Sequence, residues 1–562
     1  GSSHSNSIGC KVVALGGRPF PRGPLMGDGC LSAVVGVSIA VISCSLAELR
    51  HRYQYRQQRN SSTPKSELLL EHSILSTGRA SIRGRERSAI SGDGSDFSQD
   101  DGEVRRTLSA EQSAARRKVY GLGGFCSHNR ILLCMVGLPA RGKSYIVNML
   151  TRYLRWTGFS VQAFNAGNVR RFAGLGGIDA KFFSGDKDAS SKREQLAFLC
   201  LEEALSWLVE QDDGAVAIFD ATNSTIKRRS MVADRCREVE GITPLFVESI
   251  CDDPAVLETN YTMKLGNDDY RGMDPVAART DFLERVKMYE KRYETLEDSE
   301  NDGLVRFIKL INIGKKVVLN NCFGYAPSHI GFYLSNIHIM PRCIWLCRHA
   351  QTKDTQNGIL GSVSDVLTRR GVDYCKKLAV HVQTGLNEFD GEGRDVIVLT
   401  GTAPVHRATN DALCGTRFQN VGSTTAEQRQ AMKAARNYPL MSTSLLNELD
   451  GGDCNGMSYD TIHKDYPAVW AARETDKFNF RYPGAGGESY ADVVNRLKPV
   501  IIELERRRGS IIVFSHLAVQ RCIFAYFTGC PMEELPHIEM DMHTVFELHP
   551  GPFGTRVETV AL

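Results

Sequence analysis

The sequence predicts two α/β domains in series, each built around a mainly parallel sheet, after an N-terminal extension. Two observations lead to this prediction. From residue 129 onward, short continuous apolar runs alternate with longer amphipathic segments, which is typical of strands buried on both faces between helices. The alternation stops near residue 336 and then resumes. We place the domains at 1–125, 126–338 and 339–562.

The elements follow in order along the chain. In the first series we predict strands at 131–137, 215–220 and 244–250, and helices over 192–210 and 279–293. In the second series we predict strands at 343–347, 396–400 and 511–515, and a helix over 490–507. Strands that alternate with helices in this way indicate parallel sheets with crossover helices.

The charge balance limits the function. The chain of 562 residues has 68 Lys and Arg against 65 Asp and Glu, a net charge of +3. Residues 1–125 hold 17 basic and 11 acidic residues, so the other 437 residues carry a net charge of −3. A dedicated nucleic-acid binder is more basic than this, so no nucleic-acid partner is expected. The 16 cysteines form no CxxC pair and predict reduced thiols and a cytoplasmic protein.

The extension is expected to be largely disordered. Its apolar segment 31–47 has 17 residues, the lower limit for a membrane helix, and it contains four serines and a glycine. A buried or marginal helix is therefore favoured over a membrane anchor. Residues 61–106 are rich in Ser, Gly, Arg and Asp, a composition that cannot offset ordering entropy. Residues 105–109 (RRTLS) fit a phosphorylation site, although a solvated charged tail is the favoured interpretation.

Residues 137–144, GLPARGKS, form the strongest motif. They match G-x-x-x-x-G-K-[ST] between a predicted strand and a predicted helix. The glycines let backbone N–H groups curl around polyphosphate, and the helix N-terminus adds positive potential. Lys143 would reach the β- and γ-phosphates, and Ser144 would help to hold Mg²⁺.

A carboxylate and several cations follow the strands of this first sheet. Asp220 ends the run AVAIFD, where it would bind Mg²⁺ through water or accept a proton from an attacking hydroxyl, although helix capping is another role for such a residue. Arginines suited to planar phosphate groups come after neighbouring strands and indicate an anionic second substrate. They are Arg170, Arg171, Arg193, Arg228 and Arg229, with Lys227 beside them.

The second domain carries an inventory for phosphoryl transfer through a phosphohistidine. Arg348 and His349 end its first strand, and His516 ends a later one. Glu448 and Arg407 complete the set. His349 would attack the phosphorus atom, and Glu448 would protonate the leaving oxygen. Arg348, Arg407 and His516 would stabilise the negative charge. A metal site is the competing interpretation, but no H-x-x-x-H or carboxylate-rich spacing supports it.

The order of these motifs resembles the bifunctional 6-phosphofructo-2-kinase/fructose-2,6-bisphosphatase family over about residues 128–562. The shared segments include GLPARGKSY, FNAGNVRR, FDATN, VESICDDP, KLGNDDY, NIHIMPRCIWLCRH, LNELD, GESYADVVNRLKPVIIELE and SHLAVQRCIFAYF. The resemblance implies a P-loop kinase domain followed by a histidine-phosphatase domain of the phosphoglycerate-mutase type. It implies that the first domain phosphorylates the 2-hydroxyl of fructose 6-phosphate and that the second removes that phosphate from fructose 2,6-bisphosphate.

The resemblance also assigns ligands in the first domain, with Mg²⁺ arriving on ATP. The ATP-binding residues that it implies are Gly137, Leu138, Pro139, Ala140, Arg141, Gly142, Lys143, Ser144, Tyr145 and Asn260. Those implied for fructose 6-phosphate are Arg170, Arg193, Thr222, Arg228, Lys264, Arg285 and Tyr289. The sequence is one residue shorter than the family between Asn260 and Lys264. A homodimer through the kinase domains is a family expectation.

No cofactor is expected for the second domain. The bisphosphate contacts that the resemblance implies are Arg348, Gly361, Arg407, Tyr459, Arg473, Lys477, Tyr490 and Arg521. The departures from the family concentrate here, because Ala350, Gln351, Thr352 and Thr355 replace a Gly-Glu-Ser…Asn pattern and Leu517 replaces a glutamine. Lost contacts to a charged group cost about 1.5–3 kcal/mol each, so we expect reduced phosphatase activity.

Three alternatives stay open at this point. One is a kinase whose phosphatase domain is inactive. Another is an end-processing kinase/phosphatase for nucleic acid, which would need a basic stripe with interleaved aromatic residues. The third is a non-catalytic sensor of sugar phosphate, which would be expected to lose Lys143, Asp220 or His349, and all three are present.

Overall fold

The computed structural model describes residues 130–172, 187–211, 214–266, 268–361, 364–389, 396–414, 438–552 and 554–562. The predicted extension, its apolar segment 31–47 and the RRTLS pattern at 105–109 lie outside these residues. Within the described ranges, no helix combines the length and the apolar character needed to cross a bilayer. The cysteines of the same ranges are free thiols, in agreement with the prediction.

The first sheet has six strands in the order β2-β3-β1-β4-β5-β6. All neighbours are parallel except β5 and β6. The strands are β1 (Arg130–Val136), β2 (Ser160–Asn165), β3 (Ala215–Asp220), β4 (Ile242–Ile250), β5 (Phe307–Ile311) and β6 (Lys316–Asn320). The continuous apolar runs form the central strands β1, β3 and β4, which are covered on both faces.

Helices connect these strands, and side-chain caps fix where several of them begin. They are α1 (Lys143–Trp156), α2 (Ala166–Phe172), α3 (Lys187–Glu210), α4 (Ile226–Arg237), α5 (Pro254–Leu265), α6 (Pro275–Glu290) and α7 (Tyr325–Leu334). The helix predicted over 279–293 begins earlier, because the Asp274 carboxylate accepts backbone N–H groups and proline follows at the first helical position.

The second sheet also has six strands, in the order β12-β11-β7-β10-β8-β9. They are β7 (Ile344–Arg348), β8 (Ile397–Thr400), β9 (Leu440–Ser442), β10 (Ile511–Ser515), β11 (Thr544–Gly551) and β12 (Gly554–Ala561). Strands β7, β8, β9 and β10 are parallel where they pair, and β11 is antiparallel to both of its neighbours. The predicted class, two mainly parallel α/β domains, is confirmed.

The helices of the second domain include one correction. They are α8 (Lys353–Gln356), α9 (Arg369–Phe389), α10 (Pro404–Leu413), α11 (Tyr459–Asp465), α12 (Pro467–Thr475), α13 (Tyr490–Arg496), α14 (Lys498–Arg506) and α15 (Leu517–Thr528). The single helix predicted over 490–507 is wrong, because it is divided at Leu497. Pro499 causes the break, since a proline cannot donate to the preceding turn and its ring clashes there.

A buried charged network joins α1 of the first domain to the second. The Glu505 carboxylate accepts hydrogen bonds from Arg152 (2.6 Å), Arg342 (3.2 Å) and the Tyr526 hydroxyl (2.6 Å). Tyr333 stacks on Tyr153 and its hydroxyl lies 3.2 Å from that of Tyr526. Burial would raise the pKa of Glu505, but the two guanidiniums outweigh it and hold the pKa below its usual value. The carboxylate is therefore charged and satisfied where the domains meet.

Candidate active sites

The loop 137–144 turns sharply between β1 and α1. Gly137, Ala140 and Gly142 all have positive φ angles, of 137°, 59° and 83°. A Cβ atom on Gly137 would lie 2.6 Å from the carbonyl oxygen of Ser249, so no other residue fits there. No side chain caps α1 at Gly142. The first N–H groups of the helix therefore remain available to an anion.

Lys143 lies across this loop. Its ammonium donates to the carbonyl oxygens of Gly137 (2.8 Å) and Leu138 (2.7 Å). Burial lowers the pKa of Lys143 to about 8, and the nearby carboxylate of Asp220 opposes that shift. Asn260 on α5 braces the loop by donating to the carbonyl of Ala140 at 3.0 Å. This arrangement holds a cation where terminal phosphates would lie.

Asp220 is buried at the end of β3, as the sequence predicts for a strand-end carboxylate. Its Oδ2 accepts a hydrogen bond of 2.6 Å from the side chain of Asn165. Burial raises the pKa of Asp220, while Lys143 and Lys264 act in the opposite direction. Lys264 thus faces the same carboxylate, despite the shorter spacing before it.

An aspartate that the sequence analysis did not single out gathers the arginines beside this site. Asp269 lies 2.6 Å from Arg170 and 3.8 Å from both Arg171 and Arg285. One carboxylate cannot neutralise three guanidiniums, so the cluster keeps a net positive charge. The sequence offers no signal that separates Asp269 from the adjacent Asp268.

Adjacent arginines on α4 have different surroundings. The Arg228 guanidinium pairs with the exposed Glu194 at 2.5 Å. Arg229 is almost fully buried, where it binds both oxygens of Glu300 and three backbone carbonyls. Arg229 therefore supports the fold, and among the described residues the Arg228 guanidinium has one exposed acidic partner to release. The expectation that both would serve an anionic substrate is corrected for Arg229.

The remaining residues predicted for the first site have varied surroundings. The backbone carbonyl of Thr222 accepts from Gly137 N–H at 3.0 Å, and Arg193 lies close enough to Tyr289 to interact with it electrostatically. Ser144 is exposed at the start of α1. Two side chains have other partners: Arg141 donates to Tyr261 and Glu290, and the Tyr145 hydroxyl donates to the carbonyl of His338.

The second site brings together the predicted histidines and glutamate. His349 follows β7 and His516 follows β10, and their ring centroids lie 4.4 Å apart. The Nδ1 atom of His516 is 3.8 Å from the Glu448 carboxylate. Burial lowers the pKa of His349 to about 3, so its imidazole is neutral at physiological pH. Burial raises the pKa of Glu448, which favours the protonated acid.

A small cavity of about 40 Å³ opens beside Glu448. It is lined by most of the predicted bisphosphate contacts, namely Tyr459, Arg473, Lys477, Tyr490 and Arg521. Arg521 donates to the Tyr490 hydroxyl at 2.9 Å, and the Arg473 guanidinium lies over the Tyr459 ring at 5.4 Å. Burial and the two arginines lower the pKa of Lys477 to about 8. The cavity is thus lined by three cations.

Arg348 lies between the histidines and this cavity. It donates to the carbonyl of Met540 at 3.3 Å, and its Nε has no hydrogen-bond partner among the described residues. Burial lowers the pKa of Arg348, and Glu448 opposes that shift. Gly361 has a φ of 64°, and a Cβ there would lie 2.3 Å from the Asn455 side chain. The glycine therefore fixes a close backbone approach.

The structure does not bring Arg407 into the site. Arg407 is exposed on α10, whereas the preceding residue, His406, is fully buried. The His406 ring lies 4.6 Å from that of His516 and 6.1 Å from that of His349. The motif pattern selected Arg407 and so missed His406. Side chains of adjacent residues on a helix point about 100° apart, so a shift of one residue changes which side chain faces the site.

The residues that depart from the family pattern have defined surroundings in the structure. Ala350 donates its N–H to Thr409 at 2.9 Å, and its side chain belongs to a buried cluster with Tyr374 and Cys375. Thr355 donates its N–H to the hydroxyl of Thr352, which caps α8. Leu517 lines the cavity. The methyl of Ala350 is accommodated in the core of the second sheet.

Comparisons with known proteins give a family match in each of the two domains. A family model described as 6-phosphofructo-2-kinase matches residues 123–341. A second model, described as histidine phosphatase superfamily (branch 1), matches residues 423–562. The second match leaves out the segment that contains His349 and His406. The fold and these matches define a P-loop phosphotransferase joined to a histidine phosphatase.

Individual relatives extend over both domains. The chain is 39% identical over 461 residues to a Schizosaccharomyces pombe protein described as a probable 6-phosphofructo-2-kinase, covering 76% of this chain and 69% of the relative. It is 38% identical to a Saccharomyces cerevisiae fructose-2,6-bisphosphatase, covering 78% and 91%, and 38% identical to a Rattus norvegicus 6-phosphofructo-2-kinase/fructose-2,6-bisphosphatase, covering 78% and 87%. The chain belongs to the 6-phosphofructo-2-kinase/fructose-2,6-bisphosphatase family.

Proposed function

We propose that the first domain transfers the γ-phosphoryl group of ATP to the 2-hydroxyl of fructose 6-phosphate. The observation that carries this proposal is the position of Lys143, which lies on a phosphate-type loop and faces the strand-end carboxylate of Asp220. The cluster of Arg170, Arg171 and Arg285 beside them offers a second anionic substrate a net positive surface. The sequence relationship to the named kinases supplies the identity of the sugar.

In the kinase step, the loop amides and Lys143 bind the terminal phosphates and hold them in line with the acceptor. Asp220 lies where it accepts the proton of the attacking hydroxyl, and Arg170 and Arg228 bind the 6-phosphate. The Ser144 hydroxyl and the Asp220 carboxylate are oxygen ligands that suit Mg²⁺. When bound, the ion neutralises charge on the β- and γ-phosphates.

We further propose that the second domain hydrolyses the 2-phosphate of fructose 2,6-bisphosphate. The Nδ1 of His349 lies 2.9 Å from the carbonyl of Ala350, so Nδ1 carries the proton and Nε2 keeps its lone pair. Nε2 attacks phosphorus, the bond to the sugar oxygen breaks, and the protonated Glu448 gives its proton to that oxygen. Water then cleaves the phosphohistidine. The sugar 6-phosphate binds to Arg473, Lys477 and Arg521 in the cavity.

The balance between the two reactions favours synthesis in this proposal. The relatives are named for the kinase alone, for the bisphosphatase alone or for both. Sequence similarity therefore does not determine the ratio of kinase to phosphatase activity. In this chain, the kinase match covers the whole first sheet and the phosphatase match begins only at residue 423. The exposed Arg407 removes one expected cation from the second site.

A direct assay tests the kinase. Purified protein given MgATP and fructose 6-phosphate is expected to form an acid-labile bisphosphate, and the Lys143→Met variant is expected to form almost none. No product from the wild-type protein would refute the kinase assignment. Lys316→Met is a matched control, because Lys316 is an exposed lysine on β6 outside the loop and outside the arginine cluster.

Trapping tests the phosphatase. Brief incubation with bisphosphate carrying ³²P at the 2-position, followed by alkaline quench, is expected to label His349. The label is expected to disappear in His349→Gln while kinase activity remains. Release of phosphate without any labelled histidine would refute the phosphohistidine route.

A further inference from the structure

His406 is buried on the active-site side of α10, where its ring lies against Gly401 and beside the rings of His349 and His516. Its side chain is fully buried, and neither ring nitrogen has a hydrogen-bond partner among the described residues. Buried polar atoms in folded proteins are nearly always hydrogen-bonded. An imidazole held this way in an active site is therefore expected to acquire its partner from a ligand.

The backbone opposite His406 is shaped for the ring. A Cβ atom at Gly401 would lie only 2.3 Å from Nδ1 of His406, so a side chain at that position would displace the imidazole. The ring faces the two histidines of the site, with centroid distances of 4.6 Å to His516 and 6.1 Å to His349. Three imidazoles therefore surround the place where the transferred phosphate would lie.

The charged groups around the three rings come from several elements. Arg348 and His349 face the pocket from the end of β7, His516 from the end of β10, and Glu448 from the segment before α11. Arg496 on α13 also contributes positive charge, but its guanidinium binds Glu488 and the backbone carbonyls of residues 445, 447 and 448.

The imidazoles are uncharged in the absence of an anion. Burial lowers the pKa of His406 to about 4, an effect that the Gly401 backbone opposes only in part. Burial also lowers the pKa of His349 to about 3 and that of His516 well below its ordinary value. A phosphate dianion placed beside His406 favours the charged form of that ring, whose nitrogens form no hydrogen bond of normal geometry to a described residue although the Gly401 backbone lies close to it.

We propose that His406 contacts the 2-phosphate of the substrate and, by taking a proton from solvent on binding, supplies there the positive charge that the sequence pattern assigns to Arg407. The inference rests on the proposed bisphosphatase function. His349 remains the neutral nucleophile, Glu448 remains the acid, and the proton on His406 returns to solvent when phosphate leaves. The phosphatase activity of this chain therefore rises as the pH falls, because His406 must be protonated when it contacts the phosphate.

The test compares the pH dependence of kcat/KM for bisphosphate hydrolysis in wild type, His406→Gln and Arg407→Gln. All three proteins meet the same substrate ionisation and the same Glu448, so their ratios isolate the changed residue. The ratio of wild type to His406→Gln is expected to grow by about tenfold per pH unit as the pH falls from 8 to 6.5. Arg407→Gln is expected to keep the wild-type pH slope.

Two further measurements distinguish a failure of the role proposed for His406 from a failure of the proposed phosphatase function. Denaturant titration of His406→Gln shows whether the second domain is folded, and ³²P-labelling of His349 in wild type shows that the second site works. A labelled wild type whose ratio to His406→Gln does not change with pH would overturn the role of His406 alone. A wild type that neither hydrolyses bisphosphate nor acquires label would overturn the proposed phosphatase and this inference with it.

Discussion

The two sites face the same chemical group but carry their positive charge differently. In the first domain, the guanidiniums of Arg170, Arg171 and Arg285 share one aspartate and stay cationic at any physiological pH. In the second, the imidazoles of His349, His406 and His516 lie together and are kept neutral by burial, with the Arg348 guanidinium beside them. The difference teaches that two phosphate sites in one chain can respond to pH over different ranges. Four predictions test this contrast, beginning with the largest expected effect.

Replacing Lys143 by Met is expected to lower the rate of bisphosphate synthesis by about 100- to 1,000-fold, because a fixed donor to the transferring phosphate is lost. Bisphosphate hydrolysis is expected to stay unchanged, since the second site uses none of the loop. Both rates are measured on one preparation. A parallel fall of both activities would show that the lysine supports the fold instead of the reaction.

The neighbours Arg228 and Arg229 separate binding from stability. Arg228→Ala is expected to raise the KM for fructose 6-phosphate by about 10- to 100-fold, because one charged hydrogen bond contributes about 1.5–3 kcal/mol. Arg229→Ala is expected to lower the free energy of unfolding by about 3–5 kcal/mol, since Glu300 would keep its charge without its buried partner. Steady-state kinetics and denaturant titration measure the two effects. Equal effects of the two variants on KM would contradict the contrast.

The pH dependence of the two reactions is expected to diverge. For the kinase, kcat/KM for ATP is expected to fall as the pH rises above about 8, because the pKa of Lys143 is lowered to about 8 and the neutral amine no longer attracts phosphate. For the phosphatase, kcat/KM is expected to rise as the pH falls from 8 towards 6.5. Rate profiles from pH 6.5 to pH 9 measure both trends, and profiles that change over the same pH range would remove the distinction between the sites.

The smallest effect is expected for Asn260→Ala. This variant loses the hydrogen bond of 3.0 Å that braces Ala140 in the loop, an interaction of about 1 kcal/mol. The KM for ATP is expected to rise by about fivefold with little change in kcat. Thr259→Ala is a suitable control, because its hydroxyl is exposed and donates to the carbonyl of Ala255 within α5. A large fall in kcat would mean that Asn260 does more than hold the loop.

Most of the fold could be predicted from the sequence because its central strands are continuous apolar runs. Strands β3 and β10 have the bounds that the pattern predicts. The division of the predicted helix 490–507 could have been predicted, since Pro499 marks it. The antiparallel strand β12 could not, because its alternating and largely exposed residues give no continuous apolar run.

The candidate sites were predictable in their chemistry but not in every side chain. The loop lysine, Asp220 and the two catalytic-type histidines follow from motifs after strand ends, and Glu448 follows from the LNELD segment. Asp269 and His406 cannot be identified in this way. In each case, two adjacent residues are candidates, and the motif does not tell which of the two side chains faces inward. Only packing of the helix or turn against its neighbours decides that, and packing is a long-range property.

The central claim is that one chain makes and removes the same phosphate ester, with synthesis favoured at neutral pH. The most direct test measures both reactions on one purified preparation at pH 7.5 and pH 6.5, with MgATP and fructose 6-phosphate in one set and 2-³²P-labelled bisphosphate in the other. Our account predicts synthesis faster than hydrolysis at pH 7.5 and a smaller ratio of synthesis to hydrolysis at pH 6.5. Absence of bisphosphate formation, or a ratio that increases as the pH falls, would contradict it.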